Sequence, residues 1–306
     1  MLSSMTDHSR YFGALEAGGT KFVVAIGNDG GEILAQGRFP TAAPESTLAA
    51  AQEFLRKRAQ AYGGLDAIGV ASFGPVELDR ASPRHGSIRQ TPKPGWSGTD
   101  MTGSFAREFQ CPVGFDTDVN AAALAEHRWG AGRGLRNLVY LTIGTGIGGG
   151  VIANGAPIHG LLHPEIGHIF PRRHPLDAGF PGVCPFHGDC MEGVASGPAI
   201  VARTGSQLQD LGEEHPQWEI EADYLGQLCA QLVMTVSPQR IIIGGGVMSQ
   251  SRLLPLVAPR MKHWLGGYVD RPDILLGANG YVVAPKLGDN AGVLGALALA
   301  IDAGAR

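Results

Sequence analysis

The feature that most constrains this chain is one local plan used twice. Residues 11–15 and 22–27 read as short apolar strands flanking Glu16-Ala-Gly-Gly-Thr-Lys21. About 125 residues later, strands over 138–143 and 151–153 flank Gly144-Thr-Gly-Ile-Gly-Gly-Gly150. Each unit runs into an asparagine-glycine turn, Asn28-Asp-Gly-Gly31 in the first and Asn154-Gly155 in the second. A third strand is expected over 32–39, so the chain opens as a meander. Repeating the plan within 306 residues predicts two α/β halves, in keeping with ~100–200 residues per domain.

The remaining elements follow from periodicity and punctuation. Residues 44–61 are alanine-rich with helical spacing, and 67–73 form an apolar strand ending at Gly74-Pro75. Pro83, Gly86, Pro92, Pro94 and Gly95 make 82–96 an expected surface loop. A strand over 113–115 leads through Asp116-Thr-Asp-Val-Asn120 to a helix over 121–129, closed by Gly130 and Gly132. A strand over 240–243 enters Gly244-Gly-Gly246, and 289–303 is a final apolar helix.

Composition excludes several classes. Glycine accounts for 46 of 306 residues, roughly twice the ~7% of average usage. There is no G-X-Y period, and a chain 44% hydrophobic, 17% charged and at net charge -4 is not disordered. The mild negative charge argues against nucleic acid or an anionic membrane as partner. No run reaches ~18 apolar residues, and residues 1–10 read as a loose leader without a secretory pattern. A cytoplasmic location is expected, where Cys111, Cys184, Cys190 and Cys229 are thiols or metal ligands rather than disulfides.

Residues 144–149 satisfy G-x-G-x-x-G, but a dinucleotide site needs those glycines to open a helix, and here a short strand and another turn follow. A phosphate-binding loop ending in G-K-[ST] is absent as well. What remains is a hairpin turn whose backbone N–H groups form an anion-binding concavity. Gly18, Gly19, Thr20 and Lys21 offer a second, with a hydroxyl and an ammonium beside it. Their equivalent positions predict one phosphate chain gripped from both sides. Asp118, just before an alanine-rich helix, is either an N-cap or a carboxylate that takes a proton from a substrate hydroxyl. Asn120 either helps hold that substrate or simply occupies the first turn.

His168, Cys184, His187 and Cys190 present a C-x2-H-x2-C core with a fourth ligand upstream, a set that suits tetrahedral Zn²⁺. His163 and His174 are alternatives for that fourth ligand. Four protein ligands close the site, so the metal is expected to be structural and to brace a proline-rich loop. Glu165 and Glu192 flank the cluster and could hydrogen-bond the hydroxyls of a sugar, or could be plain solvated carboxylates.

These residues resemble the ROK sugar kinases, and within them the bacterial fructokinase branch. The likeness rests on Glu16-Ala-Gly-Gly-Thr-Lys21, Thr91-Pro-Lys-Pro-Gly-Trp96, Thr117-Asp-Val-Asn120, Ile143-Gly-Thr-Gly-Ile-Gly-Gly149, Glu165-Ile-Gly-His168 and Cys184-Pro-Phe-His-Gly-Asp-Cys-Met-Glu192. The chain departs from the wider family at its C-x2-H-x2-C spacing, which resembles the fructokinase branch, and at Glu16, where most members carry Asp.

The resemblance implies the two-domain actin-like, ribonuclease H-like α/β fold with a cleft between the domains. Residues 11–117 plus 290–306 would form the smaller domain, and 118–289 the larger one with its zinc loop over 163–192. It implies ATP-dependent phosphorylation of a hexose, D-fructose first, with Mg²⁺ and structural Zn²⁺ as cofactors and a homodimer as assembly. Asp118 would be the general base; Asn120, Glu165, His168 and Glu192 would hold the sugar. Gly18, Gly19, Thr20, Lys21, Gly144, Thr145 and Gly146 would face the phosphates, and Pro198, Gly244, Gly245 and Gly246 the nucleotide. Glu16 would hold Mg²⁺ through water. The rival readings are mannose, glucose or N-acetylmannosamine as acceptor, a sugar-responsive repressor, and an actin-like or chaperone-type ATPase. Few residues precede the first strand and no basic face is evident, which disfavours the repressor.

Overall fold

The computed structural model describes residues 10–275 and 280–305. The expected leader over 1–10 lies outside them except for Arg10. Contacts divide the chain into two units. The first holds the described residues up to Ala125, His159–His163 and those from Asp289 onward; the second holds Glu126–Ile158 and Pro164–Gly288. The expected division at 117/118 therefore differs from the one that contacts give, which falls inside a helix after Ala125 and moves His159–His163 to the first unit.

In the first unit, β1 (Tyr11–Ala17), β2 (Lys21–Asn28), β3 (Ile33–Pro40), β4 (Ala67–Ser72) and β5 (Val113–Thr117) form one sheet in the order β3-β2-β1-β4-β5. β1 pairs antiparallel to β2 and parallel to β4. β1 and β4 are apolar almost throughout because both faces of the central strands are covered. Helix α1 (Pro44–Ala59), α2 (Gly103–Phe109) and α3 (Asp118–Trp129) alternate with these strands. The expected surface loop over 82–96 is only partly at the surface: Ile88 and Trp96 are fully buried, Trp96 against Phe22 and Phe73.

In the second unit, β6 (Leu138–Ile143), β7 (Ile147–Ala153), β8 (Ala156–Pro157), β9 (Ile241–Gly244) and β10 (Val282–Val283) form a sheet in the order β10-β9-β6-β7-β8. β6 pairs antiparallel to β7 and parallel to β9, repeating the arrangement of β2, β1 and β4. The repeated plan read from the sequence is thus a repeated sheet topology. Helices α4 (Met191–Ala195), α5 (Gly197–Thr204), α6 (Gln217–Val236), α7 (Leu253–Leu265) and α8 (Pro272–Leu275) complete it, and α6 packs on α7. The last helix, α9 (Ala291–Gly304), belongs to the first unit and lies on β1, β4 and β5.

Close packing accounts for part of the glycine excess. A Cβ on Gly69 of β4 would come 1.8 Å from the Ala296 carbonyl of α9, and one on Gly114 of β5 would come 2.4 Å from the Leu299 carbonyl. Gly148, Gly149 and Gly150, expected in the turn before a strand at 151, lie inside β7. A Cβ on Gly149 would meet Ile166 at 2.6 Å, so this glycine gives room to the chain leading to the candidate zinc ligands. Among the described residues no helix is long and apolar enough to cross a membrane.

Candidate functional site

In the first unit the β1–β2 turn is built from Gly18, Gly19 and Thr20. The Gly18 N–H donates to the Lys21 carbonyl at 3.0 Å. Thr41 anchors the turn, its hydroxyl donating to the Gly18 carbonyl at 2.8 Å and its N–H to the Thr20 carbonyl at 3.0 Å. Lys93 Nζ donates to the Gly19 carbonyl. Gly19, Thr20 and Lys21 are exposed. At the end of β1, Glu16 Oε2 is buried without a hydrogen-bond partner, and burial raises its carboxyl, opposed by Lys21 and Arg38. A lone buried carboxylate oxygen beside a phosphate-type turn fits a bound cation or a water of its shell.

The β5–α3 junction carries Asp118, half-buried, at the first position of the helix. Capping falls to Thr117, whose Oγ1 accepts the Asn120 N–H at 3.1 Å, so Asp118 is not the N-cap that its sequence position suggested. Asn120 is 1% exposed, and its Nδ2 donates to Asp116 Oδ1 at 2.8 Å. Its Nδ2 is thus spent on the junction, while its Oδ1 is buried without a hydrogen-bond partner. Asp116, not singled out in the sequence, also accepts from the Thr117 N–H and from His159 Nε2, each at 2.8 Å. The bond to Asp116 raises the imidazolium pKa of His159, against desolvation. Nothing in the local sequence links residue 159 to residue 116.

In the second unit, Gly144, Thr145 and Gly146 form the β6–β7 turn, closed by the Gly144 N–H on the Gly146 carbonyl at 2.9 Å. The Gly197 N–H donates to the Gly144 carbonyl at 2.8 Å, which brings Pro198 and the start of α5 to the turn. The Gly246 nitrogen lies 3.8 Å from where a Gly144 Cβ would stand. Gly245 takes a φ of +96° with Ile143 backbone packed behind it. Gly244, expected near a nucleotide, is buried, with Pro285 2.7 Å from its virtual Cβ; its glycine answers to packing.

Glu192 meets this turn through Ile147. Glu192 Oε2 accepts the Ile147 N–H at 2.9 Å, and a Cβ on Gly167 would come 1.9 Å from the Ile147 carbonyl. Glu165 keeps an exposed edge, while desolvation and then Glu192 push its carboxyl up to about 7. Like charges near each other raise at least one member of a carboxylate pair.

His168, Cys184, His187 and Cys190 gather with their ligand atoms within 4.8 Å of one another. His168 Nδ1 lies 3.8 Å from Cys184 Sγ and 3.5 Å from Cys190 Sγ, and His187 Nδ1 lies 3.6 Å from Cys184 Sγ. Zn–S near 2.3 Å and Zn–N near 2.05 Å at tetrahedral angles put sulfur and nitrogen about 3.6 Å apart. The donor set and its spacing therefore fit zinc. The alternatives fall away: His163 Nε2 accepts the Val76 N–H at 3.2 Å in the first unit, and His174 Nδ1 accepts the Leu176 N–H at 3.2 Å.

A buried polar cluster that the sequence did not reveal supports the loop. Asp177 binds the guanidinium of Arg203 at 2.7 and 3.0 Å and the Tyr224 hydroxyl at 2.7 Å. Arg173 reaches Asp189, inside the cysteine-histidine core, at 3.0 Å, and Arg203 also binds the Val194 carbonyl of α4 at 2.6 Å. Burial raises Glu221 of α6 well above the carboxylate range, despite Arg203.

Two sheets of one strand order, each with a glycine turn between its first antiparallel pair, define a protein of the actin-like ATPase fold. The sequence profile of the ROK family matches residues 12–303, and the chain belongs to the ROK family. It is 45% identical to a fructokinase of Zymomonas mobilis over 302 residues, covering 98% of this chain and 99% of that one. It is 40% identical to a fructokinase of Streptococcus mutans over 301 residues, covering 97% of this chain and all of that one. Among solved structures, a ROK hexokinase from Thermus thermophilus superposes with a TM-score of 0.77 at 28% identity, covering 95% of this chain and 97% of that chain.

Proposed function

We propose that this chain transfers the terminal phosphoryl group of ATP to a hexose, with D-fructose as acceptor and D-fructose 6-phosphate as product. The observation that carries the reading is the near-full-length likeness to fructokinases of two bacteria. The geometry within each unit is consistent with the chemistry. Phosphoryl transfer asks little covalent work of the protein, so positioning and backbone donors do most of it. The N–H groups of Gly19 and Thr20 in the first turn and of Thr145 and Gly146 in the second take up phosphate oxygens. Asp118, held at the first turn of α3, accepts the proton of the attacking hydroxyl as its oxygen bonds to phosphorus and ADP leaves. Asp116 and Asn120 keep that junction in place.

Glu165, Glu192 and the outward nitrogen of His168 hold sugar hydroxyls. Glu192 also fixes Ile147, so sugar recognition and the second turn share one residue. Zinc on His168, Cys184, His187 and Cys190 contributes folding free energy to a loop with little apolar content. Mg²⁺, held through water by Glu16, supplies charge for the phosphates.

The test is a panel of hexoses in a coupled ADP-release assay. Sugar-dependent release with fructose giving the highest kcat/KM is expected. A higher value for glucose, mannose or N-acetylmannosamine reassigns the acceptor, and no sugar-dependent release with any of them refutes the kinase reading.

A further inference from the structure

Lys93 belongs to the Thr91-Pro-Lys-Pro-Gly-Trp96 segment, for which the reaction as described has no use. Yet the first unit is built to present it. Trp96 is fully buried, its ring 5.4 Å from those of both Phe22 and Phe73, and its Nε1 donates to the Ala42 carbonyl at 3.1 Å. Phe22 is the second residue after the β1–β2 turn, and the Phe73 N–H donates to the carbonyl of Ala17, the residue before that turn, at 2.8 Å. The segment is closed on itself by Ser97, whose Oγ accepts the Thr91 N–H at 3.1 Å and donates to the Thr91 carbonyl at 3.3 Å. Pro92 and Pro94 restrict the backbone on either side of Lys93. The lysine is thus held on a stiff arm whose ordering cost is met by folding.

The arm ends over a turn with one-sided hydrogen bonding. The carbonyls of Gly18, Gly19 and Thr20 are taken by the Thr41 hydroxyl, Lys93 and the Thr41 N–H. The N–H groups of Gly19 and Thr20 have no protein acceptor among the described residues. Carbonyls tied back and N–H groups left outward is the polarity of an anion-binding nest. An ammonium has three donors, and Gly19 takes one from Lys93. Among the described residues neither Lys93 nor Lys21 forms an ion pair with a carboxylate. The Lys93 ammonium and two outward N–H groups therefore meet at one exposed turn, with Lys21 next in the chain.

We propose that Lys93, clipped to the Gly19 carbonyl, directly binds the terminal phosphoryl group of the nucleotide during its transfer. This rests on the phosphotransfer reading above and adds a residue to it. The alternative is a purely structural lysine that pins the turn. A γ-phosphoryl contact distinguishes nucleotides that carry that group from those that do not, and a structural pin does not.

The experiment is calorimetric titration of wild-type protein, Lys93→Gln and Lys93→Arg with a non-hydrolysable ATP analogue and with ADP, both with Mg²⁺. Loss of a charge-assisted bond is expected to weaken the ATP analogue about 10-fold or more in Lys93→Gln while ADP shifts less than about 2-fold. Lys93→Arg is expected to restore part of the loss. Equal weakening of both nucleotides, or none, overturns the proposal. Lys93→Met keeps the stem and replaces the glutamine variant if that one fails to fold; loss of fold in both makes Lys93 a structural pin and also overturns it. The hexose panel separates the two readings. Wild-type protein that binds nucleotide but phosphorylates no hexose refutes the function above, whereas normal turnover with an unmoved ATP-analogue to ADP ratio in Lys93→Gln refutes only the role of Lys93.

Discussion

The link between Gly146 and Glu192 can be tested quantitatively. A Cβ on Gly146 would stand 2.5 Å from Glu192 Oε2 and 3.3 Å from its Cδ. Gly146 is not among the glycines of positive φ, so alanine strains no backbone there and acts by pushing the carboxylate aside. The bond lost is that from the Ile147 N–H to Glu192 Oε2, 2.9 Å long. A hydrogen bond to a charged group is worth about 1.5–3 kcal/mol. At roughly 2–4 °C per kcal/mol for a domain of this size, Gly146→Ala is expected to lower Tm by about 3–12 °C. Glu192→Ala removes the same bond, so the double variant is expected to lose little beyond either single one, a coupling of about 1–3 kcal/mol. Gly144→Ala is the control, because its Cβ would meet only the Gly246 nitrogen at 3.8 Å. Its stability is expected to stay within about 0.5 kcal/mol of wild type, while nucleotide affinity falls as the methyl enters the turn. Urea denaturation gives the stabilities and titration with ADP the affinities. Additive losses for Gly146→Ala and Glu192→Ala would refute the shared bond.

Three further outcomes follow from the same geometry. Asp118→Asn is expected to leave sugar KM within about 3-fold and to cut kcat by about 100-fold or more, the general-base range; near-normal turnover removes Asp118 from the reaction. Elemental analysis is expected to find about one zinc per chain, and a strong chelator to lower Tm and raise sugar KM together; a metal-free protein of unchanged Tm defeats the zinc reading. Glu165, pushed up to about 7 by desolvation and Glu192, titrates higher folded than unfolded. Its contribution to stability is therefore lost as pH rises from about 4.5 to about 7 and is constant above that. Glu165→Gln lacks this loss, so its Tm is expected to gain on wild type across that interval, and parallel Tm curves refute the shift.

Legibility from sequence tracked the range over which each interaction acts. The paired strands, both glycine turns and the alanine-rich helix after Asp118 were readable because spacing and turn chemistry act over a few residues. The zinc set was readable because three of its ligands lie within seven residues. Helix α6 was not, because Gln217, Glu221, Asp223 and Gln227 are buried along it and break the apolar stripe that marks a packed helix. Their partners come from afar: Trp264 reaches Asp223 at 2.8 Å, and Arg172 is bound by Gln227 at 2.8 and 2.9 Å. Asn120 was legible only in part: a polar residue beside a candidate base invites a substrate contact, and the folded chain adds that its Nδ2 is bound to Asp116 while its buried Oδ1 has no partner. Gly148, Gly149 and Gly150 were misread, since a glycine run looks like a turn whether it frees the backbone or admits a neighbour such as Ile166. Lys93 lies between these cases: its motif was visible, but its use depends on an arm that folding of Trp96 between Phe22 and Phe73 carries to Gly19, 74 residues away in sequence. Short-range chemistry thus announces where a reaction can occur, and long-range packing decides which side chains are free to take part.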